Sequence, residues 1–347
     1  MTVVETLEKL SNACGVAGRE DEVKNLMTKF LKPYTDEIKE DKLGNIVAIK
    51  EGKKGAPKLM LAAHMDEIGL LIKTISKEGF LQFMKIGGID DRVLLAQKVL
   101  VCTEKGLLHG IVGSRPPHIQ KEDERKRVLA SDELFVDIGA ENQDAAKKMG
   151  VRVGSPIEFD IKFARINKDI VIGKAFDDRA GCAVMIETMK RLEKTDCTIY
   201  AVGTVQEEVG CRGAMTAAFD IHPDLGIALD VTVSGDTPGV KDIEAPVKLG
   251  KGPSIGIADG GLITHPKIVK LLMDVAEENK IPYQLEAALG GTTDASRISL
   301  SREGVPSGPL SIPTRYIHSP TSLISLGDAE NVVKLMTAAI KYIPKRF

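Results

Sequence analysis

The sequence predicts an α/β protein whose α/β domain is interrupted by an all-β, barrel-like insertion. Helical and strand-like stretches alternate up to residue 68, and the alternation returns from residue 166. Between them, residues 69–165 hold short β-branched or apolar runs separated by glycines and charged turns, the pattern of a barrel or sandwich. The division is therefore residues 1–68 with 166–347 as one domain and 69–165 as the other. At 347 residues the chain is long enough for two units of roughly 150 residues and can bury a large core without cross-links.

Apolar residues recur at helical spacing over residues 4–10 and 20–31, with breaks at Gly15 and Gly18, and Pro33 closes the second helix. Residues 45–49 and 58–64 read as strands, the second apolar enough to be covered on both faces. Inside the insertion, residues 69–75, 98–103, 107–112, 134–138 and 156–161 read as strands, and the charged stretch 116–127 as a mobile loop. Beyond it come a helix at 180–192, a buried strand at 198–205, a short helix at 213–219 and a buried strand at 225–230. Pro266 sits near the first turn of a helix reaching residue 279, and Asp328 with Glu330 starts a last helix running to 343. Met215, Met273 and Met336 read as helix core residues.

Composition removes several function classes. The 47 basic and 49 acidic residues give a net charge of −2, so there is no electrostatic footprint for nucleic acid. Trp is absent and aromatic residues make up 4%, which weighs against stacking on sugars or bases. No run approaches the roughly 20 apolar residues that span a bilayer, and the first residues lack a signal-peptide pattern. Cys14, Cys102, Cys182, Cys197 and Cys211 are scattered and odd in number, without C-x-x-C spacing. They fit neither a disulfide framework nor a cysteine-built zinc site and are expected to pack as small hydrophobes, with the cytoplasm as the default location.

The informative pattern is where polar residues fall. Strand 58–63 runs into His64-Met65-Asp66-Glu67, strand 198–205 into Gln206-Glu207-Glu208, and strand 225–229 into Asp230. Phe176-Asp177-Asp178-Arg179 opens a helix, and Tyr316-Ile317-His318-Ser319 follows another strand-like run. Ligands of open α/β sheets gather at the carboxyl ends of strands. Two histidines and several carboxylates without cysteine suit zinc, cobalt or manganese. One carboxylate shared by two metals, with a His and a further carboxylate on each, makes a hydrolytic centre once a non-ligand base is added. Adjacent Glu207 and Glu208 can divide those roles. Each fragment alone also has a plain reading: a strand-end histidine, a solvated Glu-Glu turn, or a helix cap at Asp177-Asp178. Their joint occurrence at element ends is what argues for a site. His109, His118, His222 and His265 read as structural or surface residues.

Six segments carry a resemblance. They are Ala62-Ala63-His64-Met65-Asp66-Glu67-Ile68-Gly69, Ala175-Phe176-Asp177-Asp178-Arg179-Ala180-Gly181, Gln206-Glu207-Glu208-Val209-Gly210, Ala228-Leu229-Asp230-Val231-Thr232, Gly290-Gly291-Thr292-Thr293-Asp294-Ala295 and Tyr316-Ile317-His318-Ser319. In this set and order the chain resembles the tetrahedral (TET) aminopeptidase and glutamyl-aminopeptidase family of dinuclear metallopeptidases, over essentially its whole length. The resemblance implies a mixed-sheet α/β/α metallopeptidase domain and two divalent ions, zinc or cobalt. It implies that His64 and Asp230 each bind an end of the metal pair, that Asp177 bridges, and that Glu208 and His318 complete the second metal. Glu207 is then the general base acting on a metal-activated water, and Asp66 the carboxylate that orients His64. The segment 290–293 would lie beside the substrate pocket, although it also reads as an ordinary strand-to-helix turn. The implied activity removes the N-terminal residue from peptides. The family's self-compartmentalising dodecamers built from dimers imply a large homo-oligomer with the insertion as dimerisation module. The same residues leave room for a deacylase or amidohydrolase of N-acyl amino acids. Some members carry an endoglucanase label, and a glycoside hydrolase would need paired carboxylates and, usually, aromatic platforms.

Overall fold

Burial sorts the apolar residues into three clusters, one on each face of a large mixed sheet and one inside a closed barrel. The computed structural model describes residues 2–122, 126–288 and 290–347. Residues 123–125, part of the stretch expected to be a mobile loop, lie outside the described residues.

The chain opens with α1 (Val3–Asn12), where the Thr2 hydroxyl accepts the Glu5 N–H and Glu5 reaches back to the Thr2 N–H. Helix α2 (Asp21–Leu31) gives way to a 3-10 turn at Lys32–Tyr34 that contains Pro33. Strand β1 (Glu37–Glu40), absent from the sequence expectation, is a charged and mostly exposed edge strand paired antiparallel with β2 (Ile46–Lys50). The apolar β3 (Lys58–His64) follows. Six strands then close a barrel: β4 (Gly69–Ile75), β5 (Leu81–Ile86), β6 (Lys98–Thr103), β7 (Gly106–Gly113), β8 (Phe135–Asp137) and β9 (Pro156–Phe159). The short helix α3 (Gln143–Lys148) lies between β8 and β9. Leu70, Ile72, Leu81, Phe83, Val99, Val101, Val136 and Phe159 belong to the barrel's core. Closure leaves the barrel without the sheet edges that invite pairing with other chains. Strand β5 and helix α3 are absent from the sequence expectation.

The large sheet resumes with β10 (Ala164–Arg165) and β11 (Ile170–Gly173), then α4 (Phe176–Arg191), β12 (Thr198–Thr204), α5 (Arg212–Ile221) and β13 (Leu225–Val233). It ends with β14 (Ser254–Ala258), α6 (Pro266–Glu278), β15 (Gln284–Ala287), α7 (Asp294–Ser299), β16 (Ser307–Arg315), β17 (Ser322–Ser325), α8 (Leu326–Ile340) and α9 (Ile343–Arg346). Strand order is β1-β2-β12-β3-β13-β16-β17-β11-β10, with β14 and β15 joined beside β16. The central strands β12, β3, β13 and β16 are parallel, so their carboxyl ends share one edge. Alternation along β3 sends Leu59, Leu61 and Ala63 to one face and Met60 and Ala62 to the other. Ala164–Arg165, which the sequence division leaves with the insertion, hydrogen-bonds into the large sheet through β11.

Three local expectations are corrected. Helix α8 begins at Leu326 and is capped by Ser325, whose hydroxyl accepts the Asp328 N–H; Asp328 instead accepts the Gly250 and Gly252 N–H groups. Met215 is 50% exposed, because α5 turns only its Ala214, Ala217, Ala218 and Ile221 stripe to the sheet, whereas Met336 is fully buried. Cys182, Cys197 and Cys211 pack as buried hydrophobes, but Cys14 and Cys102 are only partly buried.

Helix α4 lies so close to the sheet that a Cβ on Gly181 would stand 2.2 Å from Asp178 Oδ1 and 2.3 Å from the Leu229 main-chain oxygen. Gly181→Ala is expected to lower stability by about 1–3 kcal/mol through overpacking, read as a lower urea midpoint.

Candidate metal centre

The carboxyl edge of the parallel strands brings all seven residues named from the sequence together. His64 ends β3, Glu207 and Glu208 follow β12, Asp230 lies in β13, His318 follows β16, and Asp177 stands in the first turn of α4. Asp177 and Asp178 have non-helical backbone angles there, so the chain bends before α4 continues.

The shared member is Asp177. Its Oδ1 is 3.0 Å from His64 Nε2 and its Oδ2 is 3.3 Å from His318 Nε2. Each imidazole has its other nitrogen against a carbonyl: His64 Nδ1 donates to the Asp66 main-chain oxygen at 3.1 Å, and His318 Nδ1 to the Gly88 oxygen at 2.9 Å. A carbonyl can only accept, so both rings carry their proton on Nδ1 and turn Nε2 toward the carboxylates. Donor atoms of His64, Asp177 and Asp230 all lie within 4.8 Å of one another, as do those of Asp177, Glu208 and His318. Glu208 Oε1 is buried without a hydrogen-bond partner. Two imidazole Nε2 atoms turned to shared carboxylates, with an orphaned buried oxygen beside them, form a donor set that fits divalent cations.

Without cations the cluster retains protons in their place. Burial pushes the Glu207 and Glu208 carboxyls up to about 8. Burial likewise drives Asp230 well above the usual carboxylate range. For His64 burial acts downward, but hydrogen bonds to Asp177 and Asp66 outweigh it and leave the ring well above its ordinary value. The Asp177 hydrogen bond raises His318 to about 9. Burial also acts on Asp177, yet His318 and His64 together hold its carboxyl below the ordinary range.

Glu207 and Glu208 point to different partners: Glu207 Oε2 is 3.8 Å from His64 Nε2, and Glu208 Oε2 is 3.7 Å from His318 Nε2. Asp66, fully buried, holds this pair in place. Its Oδ1 accepts the Glu207 N–H at 2.9 Å and its Oδ2 the Glu208 N–H at 3.0 Å. The carboxylate itself is 3.6 Å from His64 Nδ1, so the main-chain oxygen of Asp66 makes the shorter contact to the ring.

Two buried acids escaped the sequence reading as site residues. Asp178 accepts the Gly181 N–H at 2.8 Å through Oδ1 and the His64 main-chain N–H at 3.1 Å through Oδ2. The helix-cap alternative thus applies to Asp178, whereas Asp177 faces the cluster. Asp294 accepts the Thr204 hydroxyl at 2.5 Å, leaves Oδ1 unpartnered, and is pushed up to about 6 by burial. Its one signal was membership of the segment 290–295. A cleft of about 380 Å³ opens on the centre, lined by His64, Asp177, Glu207, Glu286, Thr292 and His318 among others. Residues 290–293 are at once the lead-in to α7 and a wall of this cleft, and Leu289 lies outside the described residues. The other histidines stand apart: His109 beside Asp160, His222 on Glu303, His265 capping α6, and His118 exposed.

The chain is similar over nearly its whole length to known aminopeptidases. The family model described as M42 glutamyl aminopeptidase matches residues 44–335. A lysyl aminopeptidase of Pyrococcus furiosus is 40% identical over 340 residues, covering 97% of this chain and 96% of its own. An aminopeptidase from the archaeon Desulfurococcus kamchatkensis superposes with a TM-score of 0.94 at 45% identity, over 98% of this chain and 94% of that one. The Pyrococcus horikoshii TET1 peptidase, whose structure is titled as able to assemble into a tetrahedron or a large octahedral shell, superposes with a TM-score of 0.88 at 35% identity, over 97% and 98% of the two chains.

The raised groups fix a pH dependence for the metal-free chain. Glu207, Glu208 and His318 all titrate higher folded than unfolded, so the stability they contribute is full below their ordinary values and lost as pH rises through their folded ones. Asp177 has the opposite sign and matters only in acid. In excess chelator the melting temperature is expected to fall from about pH 6 to about pH 9 and to fall less in Glu208→Gln, read by differential scanning calorimetry.

Proposed function

We propose how this chain, which belongs to the M42 glutamyl aminopeptidase family and is a metal-dependent aminopeptidase, carries out its reaction. His64, Asp177 and Asp230 hold one divalent ion, and Asp177, Glu208 and His318 hold the other, zinc or cobalt suiting these nitrogen and oxygen donors. The observation that carries this reading is Asp177, whose two oxygens face the two histidines and which alone belongs to both triads. Bound there, the ions supply Lewis acidity toward a substrate carbonyl and make a water acidic near neutral pH.

The remaining chemistry belongs to the chain. Glu207 is the general base: it lines the cleft, belongs to neither triad, and is held by the Asp66 clamp on its main-chain N–H. It takes the proton of the attacking water and returns it to the departing amine. Glu244, Asp259 and Glu286 add carboxylates to the cleft wall, a lining that suits the α-ammonium of a peptide N-terminus. Asp66 sets Glu207 against His64 and orients His64 through its main-chain oxygen.

The catalytic domain comprises residues 1–68 and 166–347, with 69–165 as a dimerisation module within a large homo-oligomer, twelve chains as in the family's dodecamers. Support comes from the barrel's outer surface, where Met84, Leu95, Leu107, Ile111 and Val153 are exposed. Five free thiols fit the reducing cytoplasm.

Glu207→Gln is expected to retain both metals and lose turnover by at least about a hundredfold, whereas Asp177→Ala loses both metals. Metal analysis beside hydrolysis of free-amine and N-blocked aminoacyl substrates checks this; near-normal turnover in Glu207→Gln removes the base assignment, and preference for N-blocked substrates makes the enzyme a deacylase. Light scattering after size exclusion should give a mass many times the 37.4 kDa chain, and a monomer or plain dimer contradicts the assembly.

A further inference from the structure

We propose that Cys14, Cys102 and Glu158 form a separate zinc site that joins the barrel to the α/β unit. Cys14 lies in the loop after α1, Cys102 near the end of β6, and Glu158 in β9, so the three come from segments far apart in sequence. Their Sγ and carboxylate oxygen atoms all lie within 4.8 Å of one another. Cys14 Sγ donates to Glu158 Oε1 at 2.8 Å. Glu158 is 2% exposed, and its other oxygen accepts Lys174 Nζ at 3.1 Å, which holds the carboxylate toward the thiols. Both cysteines line a cleft of about 400 Å³ whose walls include Arg19, Arg152 and Ser155. The cleft gives an ion an entry path to the two thiols.

Charge balance favours the same ligand. Glu158 and Glu67 share a buried cluster with Lys174 and Arg179, two negative groups against two positive ones. Exchanging both thiol protons for one dication leaves that sum unchanged. A dication without proton loss would not, so zinc uptake should release protons. Zinc at this position would tie α1's exit loop to two barrel strands.

The catalytic triads contain only nitrogen and oxygen donors, so a sulfur-specific signal separates the two sites. Cobalt(II) titrated into the reduced, metal-stripped full-length protein should produce a sulfur-to-cobalt charge-transfer absorption, which in Asp177→Ala, without the two catalytic ions, should saturate at one ion per chain. The band should persist in Asp177→Ala and in Cys211→Ser, and vanish in Cys14→Ser and in Cys102→Ser. Absence of the band in the unaltered chain, its persistence in Cys102→Ser, or a Cys14–Cys102 disulfide in the protein as purified would overturn the site. Should the cysteine variants fail to fold, alkylation of the Asp177→Ala protein gives a second measurement. Zinc should protect Cys14 and Cys102 together, and equal labelling with and without zinc refutes the proposal.

Discussion

A buried ion cluster beneath the centre is the interaction on which the other parts depend. Lys174 Nζ lies 2.7 and 2.9 Å from the two Glu67 oxygens, 3.1 Å from Glu158 and 2.8 Å from the Ala13 carbonyl. Arg179, fully buried, donates to Glu67 at 3.1 Å and to the Leu10 carbonyl at 2.7 Å. Glu67 follows directly on the His64–Asp66 strand end, and Lys174 and Arg179 bracket Asp177 and Asp178. Glu158 comes from the barrel, and the carbonyls come from the exit of α1. Removing one partner of a buried pair typically costs about 3–5 kcal/mol, because the other charge stays behind unpaired. The cluster therefore couples the seating of the barrel to the backbone that presents the bridging carboxylate.

Above it the problem reverses: too many acids face too few cations. Asp66, Asp177, Asp178, Glu207, Glu208, Asp230 and Asp294 are gathered against two imidazoles, and burial penalises the charges of Asp178, Glu207, Glu208, Asp230 and Asp294. The fold holds this arrangement with unusual backbone. Ala175, Gln206, Tyr316 and His318 all have positive φ although none is glycine, and each lies at or within two residues of a proposed site residue. These turns carry Asp177, Glu207 and His318 away from the direction their strands and helix would otherwise impose. The barrel also contributes: a Cβ on Gly87 would come 2.8 Å from Glu208 Oε2, and one on Gly88 2.8 Å from His318 Nδ1. Glycines there let the inserted unit close against the second triad while the Gly88 carbonyl sets the His318 tautomer.

What could be read from residues in order was whatever depends on local periodicity and element ends. The apolar runs of β3, β12 and β13 marked strands, and the polar residues just past them, His64, Glu207, Glu208 and Asp230, marked one edge, because parallel strands deliver their carboxyl ends to the same side. Strand β1 stayed hidden because Glu37–Glu40 is charged and earns its place by pairing with β2, and the cap of α8 was misplaced because Ser325 and Asp328 are equally good caps by composition. Contacts between distant segments decided the rest. Asp66 could be named, but that its carboxylate clamps Glu207 and Glu208, 141 and 142 residues away, depends on how β3 and β12 lie side by side. The meeting of Cys14 with Glu158 across 144 residues, and of Lys174 with Glu67 across 107, has no local signal at all. Periodicity is a property of neighbours along the chain, whereas burial and charge compensation are properties of neighbours in space, and only folding makes the second set known.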